Sequence, residues 1–407
     1  MKQFTIPNIY RSNLISGVKE KRKAADKLKK DFTPTLLDLG SLQIYLARHF
    51  GFCYGVENAI EIAFNTIDSN PGKNIYLLSE MIHNPQVNAD LKARGVTFLQ
   101  DTYGKQIIPF ESLTAEDVVI IPAFGTTLEI EELLRAKGIA VEQYNTTCPF
   151  VEKVWNRSEQ IAQKGYSIVV HGKPRHEETR ATFSHASANT PTVIVNDMAE
   201  TIALAKYMTG QKPANDFYTE FKGRYSEGFD IGKDLQQIGV VNQTTQLATD
   251  TQAISDYLKE VIRNHYQLSE ATIGERFADT RDTLCYATND NQAAVTGMLD
   301  TPADIAIVIG GHNSSNSSHL VELCEAKLQT YFIDNPGKLI SREQLLHCNW
   351  KTKELSEVSN YLPNNNPVKI LITSGASCPD AIVEQVIRKL ADFFNAGDRV
   401  DAFIDSL

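Results

Sequence analysis

Short apolar runs alternate along this chain with longer stretches whose apolar residues recur every three to four positions. A first strand is expected in the run Leu42-Gln43-Ile44-Tyr45-Leu46, and others at 75–78, 118–122, 141–144, 167–170, 192–195, 238–241, 305–309, 330–333 and 369–373. Helices are expected between them, among them 128–137, 246–266 and 380–394. In the last, Ile382, Val383, Val386, Ile387 and Leu390 repeat at helical spacing and define one buried face. Alternation of this kind predicts parallel sheets flanked by helices, so the fold class is α/β. Residues 1–41 are polar and poorly periodic and read as an N-terminal extension, and residues 207–236, with Gly, Pro, Asn and scattered aromatics, read as an insertion.

Composition narrows the possibilities. A chain of 407 residues exceeds one ordinary core, and 42% hydrophobic with 22% charged residues is the make-up of a folded protein. The net charge of −10 argues against nucleic acid as the main partner, because phosphate backbones require clustered positive charge. No apolar run approaches the roughly 20 residues that span a bilayer, so no membrane partner is expected. The basic stretch 19–30 has the charge of a targeting peptide, but Glu20, Asp26 and the adjacent Asp31 interrupt it and serines are few. It reads as an exposed helical extension, and the expected location is cytoplasmic.

Six cysteines, none in a CxxC pair, exclude a disulfide scaffold or a zinc ribbon. The ordinary reading of an isolated cysteine is a small buried hydrophobe. Three share a setting that departs from it. Cys53 in Gly51-Phe52-Cys53-Tyr54-Gly55 precedes the helical run 56–67, Cys148 in Thr147-Cys148-Pro149 precedes 151–164, and Cys285 in Leu284-Cys285-Tyr286 precedes 289–299. Pro149 suits a first helical position. Free N–H groups at a helix start favour a thiolate and are expected to lower its pKa, and thiolates are what iron requires. Three similar α/β lobes, each offering one thiolate, would surround one metal centre with pseudo-threefold symmetry. Three ligands on a four-iron cluster would leave one iron open to substrate. Cys324, within a helix, Cys348, in a polar turn, and Cys378, after a loop serine, read as structural.

Four strand ends are rich in hydrogen-bond donors: Met81-Ile82-His83-Asn84, His171-Gly172-Lys173-Pro174-Arg175-His176-Glu177-Glu178, Gly310-Gly311-His312-Asn313-Ser314-Ser315-Asn316-Ser317 and Ser374-Gly375-Ala376-Ser377. Ligands of open α/β sheets bind beyond the carboxyl ends of strands, and glycine, hydroxyls and helix N-termini capture phosphate. Any one such loop is as well explained by helix capping. Neither GxxxxGK[ST] nor GxGxxG occurs. Glu178, beside His176 and with Thr244 as a hydroxyl partner, is a candidate proton donor; a solvated carboxylate at a helix start is its plainer reading.

Taken in order, Gly51–Val56, Ile82-His83-Asn84, Thr147-Cys148-Pro149, His176 with Glu178, Gln243-Thr244-Thr245, Cys285-Tyr286-Ala287-Thr288, Asn313–Ser317 and Gly375-Ala376-Ser377 resemble the 4-hydroxy-3-methylbut-2-enyl diphosphate reductase family over about residues 46–396. The resemblance implies three α/β lobes around a central [4Fe-4S] cluster on Cys53, Cys148 and Cys285, with the substrate hydroxyl taken by the unique iron. It places the diphosphate on His83, Ser314, Ser315, Asn316 and Ser377. Substrate-hydroxyl binding and proton delivery fall to His176, Glu178 and Thr244. Two electrons, from reduced ferredoxin or flavodoxin, and protons would remove water and yield isopentenyl and dimethylallyl diphosphates.

The lobes implied are 42–148, 149–284 and 285–396, with a tail at 397–407. One departure stands out. Many members carry a diphosphate-holding histidine where this chain reads Ala123-Phe124-Gly125, as in the plant and cyanobacterial branch, and another donor, Lys173 or a backbone N–H, is expected to take its place. The rival readings are a three-lobed iron–sulfur enzyme of the quinolinate synthase type and a non-catalytic metal- or phosphate-binding module. The first has no need of His83, His176 and Asn313–Ser317 in this order, and the second has no use for Glu178 with Thr244.

Overall fold

The computed structural model describes residues 4–278, 280 and 283–407. The chain forms two compact units, one of residues 1–61, 82–90 and 286–407, the other of 62–81 and 91–285.

The first unit is built on a five-stranded sheet ordered Thr35–Asp38, Leu42–Leu46, Val368–Ser374, Ile305–Ile309, Thr330–Ile333. Its first pair is antiparallel and the rest are parallel, with Ile370 opposite both Ile44 and Ile305. Ile305–Ile309 is buried at every position, as expected of a parallel strand covered on both faces. The helix Asp380–Phe393 packs Ile382, Val383, Val386, Ile387 and Leu390 into this core on the stripe its spacing predicts. The order of strands is not that of consecutive lobes. Leu42–Leu46, expected in a first lobe of residues 42–148 with Cys53, shares its sheet with strands from beyond residue 300.

The expected N-terminal extension, whose first three residues lie outside those described, also belongs to this unit. Its helix Asn13–Ala25 buries Leu14, Ile15 and Val18 while its charged residues stay outside, and Thr35–Asp38 pairs along the sheet edge. Ser12 caps that helix by accepting from the Ile15 N–H and donates to Glu384 at 2.5 Å. Three buried positions in a thirteen-residue helix are too few to stand out against its lysines in the sequence.

The second unit holds two three-stranded parallel sheets, ordered Thr97–Phe98, Ile75–Leu77, Val118–Ile120 and Thr192–Val195, Ser167–His171, Ile238–Asn242. The strand expected at 141–144 is instead a 3-10 turn, Glu142–Tyr144, followed by a single parallel bridge from Asn145 to Ile121. The Asn145 side chain accepts from the Thr147 N–H at 2.8 Å and the Thr147 hydroxyl at 2.6 Å, so an Asx turn diverts the chain before a strand can extend.

The inserted residues 207–236 fold on an aromatic cluster. Phe217 is fully buried, stacked on Phe221 at 5.1 Å and Phe229 at 5.4 Å and edge-on to Tyr207 at 5.6 Å. Tyr225 adds a bridge to Val193, which ties the insertion to the sheet edge. Phe217→Ala is expected to lower the unfolding free energy by about 3–5 kcal/mol in urea melts followed by tyrosine fluorescence. A cost below about 1 kcal/mol would mean that this cluster does not hold the insertion.

Candidate functional site

In the first unit the central strands Leu42–Leu46, Val368–Ser374 and Ile305–Ile309 are parallel neighbours, so the loops leaving their carboxyl ends meet at one edge. Those loops carry Cys53, Ser377 and Ser314–Ser317. The Cys53 N–H donates to the Ala376 carbonyl at 3.2 Å, and the Gly375 N–H to the Ile309 carbonyl at 3.0 Å. Gly51 turns the chain two residues before Cys53 at φ +79°, where a side chain would collide with Asp380 and Lys19. His83 joins the same set. The Ser377 hydroxyl donates to its carbonyl at 3.2 Å, and Gly311 comes so close that a Cβ there would lie 2.0 Å from that oxygen.

Asn316 is the most informative member. Its side-chain oxygen accepts from the Ala376 N–H at 3.0 Å and from Asn291 at 3.4 Å, which fixes the amide orientation. Its Nδ2 is buried and, among the described residues, has no partner. It lies in the first turn of the helix Ser315–Glu325, capped by the Ser314 hydroxyl, so a buried N–H₂ without an acceptor sits at the positive end of a helix. A buried donor left unsatisfied costs about 1–3 kcal/mol, which an anionic ligand would recover. His83, Ser314, Ser315, Asn316 and Ser377 are thus brought together in one unit, all of them buried.

The second unit holds Cys148, Cys285, His176, Glu178 and Thr244. Ser167–His171 and Ile238–Asn242 are adjacent parallel strands, and the loops after them meet through the Gln243 N–H, which donates to the His171 carbonyl at 2.8 Å. Glu178 is 1% exposed, and its Oε1 accepts from the Thr244 N–H at 2.5 Å. The bond runs to the Thr244 backbone, where the sequence pointed to its hydroxyl. His176 caps the helix Glu177–Ser187, its Nδ1 accepting from the Glu178 N–H at 3.2 Å. An Nδ1 that accepts carries no proton, so in the neutral ring the proton is on Nε2. Phe124 lies edge-on to His176 at 5.6 Å between ring centroids, and so braces that ring.

Cys148 caps the helix Pro149–Ala162, with Pro149 in its first position, and its own N–H donates to the Ala123 carbonyl at 2.9 Å. Burial pushes its thiol up to about 12, against the pull of the Phe150 and Val151 N–H groups, while Cys285 and Glu178 push it further the same way. The lowered pKa expected of a helix start is therefore not realised, because desolvation outweighs the helix N–H groups. A thiolate there needs a cation.

The residues that hold Cys285 escaped notice in the sequence. Its N–H donates to the Thr244 carbonyl at 3.1 Å. Two residues earlier, Thr283 is clamped to Asn242: N–H to Oδ1 at 2.9 Å, hydroxyl to the same oxygen at 2.5 Å, and the Asn242 N–H to the hydroxyl at 2.9 Å. Gln243 is a hub, its Oε1 accepting from Thr179 at 3.1 Å, Gln246 at 3.1 Å and the Lys173 N–H at 3.3 Å. Only the run Gln243-Thr244-Thr245 hinted at this role.

Cys53, Cys148 and Cys285 are half-buried, whereas Cys324, Cys348 and Cys378 are fully buried. Cys348 ends the strand Gln344–Cys348 rather than lying in a turn, and burial raises the pKa of all three buried thiols. Among the described residues, no three metal-binding side chains are grouped closely enough for a single ion. A four-iron cluster takes its thiolates at separate corners and spreads them wider than one ion does. Half-buried thiols at helix starts, with N–H groups turned on the Cys148 sulfur, suit such a group. Among the described residues, no helix is long and apolar enough to cross a membrane.

Comparison with known proteins gives one consistent result. The family model described as LytB protein matches residues 44–391. A 4-hydroxy-3-methylbut-2-enyl diphosphate reductase of Prochlorococcus marinus is 37% identical over 94% of this chain and 89% of its own. One from Parasynechococcus marenigrum is 38% identical over 87% of this chain and 86% of its own. A solved structure of (E)-4-hydroxy-3-methyl-but-2-enyl diphosphate reductase, the terminal enzyme of the non-mevalonate pathway, superposes with a TM-score of 0.51 at 27% identity, covering 86% of this chain and 99% of that one. The Plasmodium falciparum reductase structure, 23% identical, shares the fold with a TM-score of 0.61 over 86% of this chain and 87% of its own.

Proposed function

Because the chain belongs to the LytB family of 4-hydroxy-3-methylbut-2-enyl diphosphate reductases, we propose that it removes the hydroxyl of that allylic diphosphate reductively, as an oxidoreductase of non-mevalonate isoprenoid synthesis. Two electrons and two protons enter, the C–O bond breaks, and water leaves with isopentenyl or dimethylallyl diphosphate. The observation that carries the reading is Glu178, a buried carboxyl fixed by the Thr244 N–H and close enough to Cys148 for its charge to act on that thiol. A candidate proton donor and a candidate metal-binding sulfur thus act on each other electrostatically. A non-catalytic module has no use for that pairing.

Cys53, Cys148 and Cys285 would hold a [4Fe-4S] cluster, which when bound supplies electrons singly and a Lewis-acidic iron for the hydroxyl. The protein's own groups do the rest. Asn316 Nδ2, the Ser314 and Ser315 hydroxyls, Ser377, His83 and the helix start would take the diphosphate and fix the carbon chain. His176, donating through Nε2, and Thr244 would orient the hydroxyl, and Glu178 would give it the proton with which it departs. A small low-potential donor, ferredoxin or flavodoxin, would supply the electrons.

Diphosphate binding is tested by Asn316→Ala and Ser377→Ala. Each removes a hydrogen bond to a charged group, worth roughly 1.5–3 kcal/mol, so KM should rise by about tenfold or more in steady-state assays. Wild-type KM in both variants would place the anion elsewhere.

A further inference from the structure

The segment 19–30 carries seven Lys or Arg against two carboxylates, in a chain whose net charge is −10. Its position gives that contrast a use. Leu14, Ile15 and Val18 anchor the helix Asn13–Ala25 in the core, and Lys19 is tied to Asp380 at 2.7 Å and lies over the Phe50 ring at 5.1 Å. Lys23, in the last turn of the helix, and Lys27 and Lys30, beyond it, are exposed and, among the described residues, pair with no carboxylate. Leu28, set among them, is 76% exposed. Lys29 is held against Asp290 at 3.0 Å and over the Tyr286 ring at 5.6 Å. The Tyr286 hydroxyl accepts from the Tyr54 N–H at 2.9 Å, one residue from Cys53. The basic face is therefore joined through one ring and one hydrogen bond to a cluster-ligand position.

We propose that this face, Lys23, Lys27, Lys29 and Lys30 around Leu28, is the docking surface for a small acidic electron-carrier protein, which delivers electrons on the Cys53 side. The inference rests on the reductase reading above. An acidic carrier is repelled by most of this chain and drawn to the basic face, which is the condition for electrostatic steering to one orientation. Leu28, the one leucine of residues 19–30, supplies an apolar contact inside a charged rim, an arrangement suited to a transient protein complex. A membrane surface fits less well, since the helix Asn13–Ala25 turns Leu14, Ile15 and Val18 into the core and Leu28 is the one large apolar residue of 19–30.

The test uses the cluster-loaded full chain under anaerobic conditions, with two reductants: a reduced plant-type ferredoxin and reduced methyl viologen. The triple variant Lys23→Glu, Lys27→Glu, Lys30→Glu should raise the KM for ferredoxin by roughly tenfold to a hundredfold and flatten its dependence on salt. Turnover with methyl viologen should stay at the wild-type rate. Leu28→Ser should weaken ferredoxin use alone, without changing the salt dependence. Equal losses with both reductants would reduce the segment to a structural element and overturn the proposal. Unchanged ferredoxin kinetics would overturn it too, and sedimentation with phosphatidylserine vesicles would then reassign the face to a membrane. A wild-type protein inactive with both reductants would defeat the reductase reading itself, a result distinct from either.

Discussion

Replacing Cys53, Cys148 or Cys285 by serine is expected to abolish both activity and the retention of iron and sulfide. The hydroxyl is a poor ligand for iron–sulfur clusters, and an alkoxide is far costlier to form than a thiolate. At Cys148 burial disfavours the anion, pushing the thiol up to about 12. Binding must therefore expel a proton as the metal arrives, and only a soft ligand returns that cost. Cys324→Ala and Cys348→Ala should leave iron and sulfide counts unchanged, because both side chains are closed inside the first unit's core. Full cluster content in any one of the first three serine variants would remove that residue from the ligand set.

Glu178→Gln is expected to lower kcat by about two orders of magnitude or more while substrate and cluster still bind, since general acid help is typically worth about 10²–10⁴-fold. Glutamine keeps the length of the side chain and can still accept from the Thr244 N–H, so the hydrogen bond that fixes the side chain survives. It cannot give up a proton at useful cost. An unprotonated leaving hydroxide is the harder one to expel, so the loss should fall on kcat rather than on KM. Near-wild-type turnover would show that the proton comes from another group, with the Nε2 of His176 or the substrate diphosphate the next to examine.

The regular parts of this fold were legible because their signals are local. Strands 192–195, 305–309 and 330–333 fall where their apolar runs put them, and the helix Asp380–Phe393 shows its buried stripe directly. The three helix-start cysteines could be singled out for the same reason, since each is followed at once by helical periodicity. What sequence spacing could not convey was the balance of opposing effects. The N–H groups at Cys148 do act on its sulfur, but the depth of burial that overrides them is a tertiary quantity.

The supports of the site were hidden for a different reason. Asn242, at the end of a strand, and Thr283, in a loop, are forty-one positions apart, and nothing local says that one holds the other. The unpartnered amide of Asn316 is defined by what surrounds it, which the run of serines and asparagines does not reveal. Residues 4–41 read as an appendage because their buried side chains are few, yet their strand completes a sheet edge.

The most direct test of the central claim is anaerobic incubation of the cluster-loaded protein with 4-hydroxy-3-methylbut-2-enyl diphosphate and a low-potential one-electron donor, with products separated and the donor's oxidation followed. The account predicts isopentenyl and dimethylallyl diphosphates in amounts equal to half the electrons consumed. Substrate recovered unchanged from a protein with its full complement of iron and sulfide, and with the donor still reduced, would contradict it.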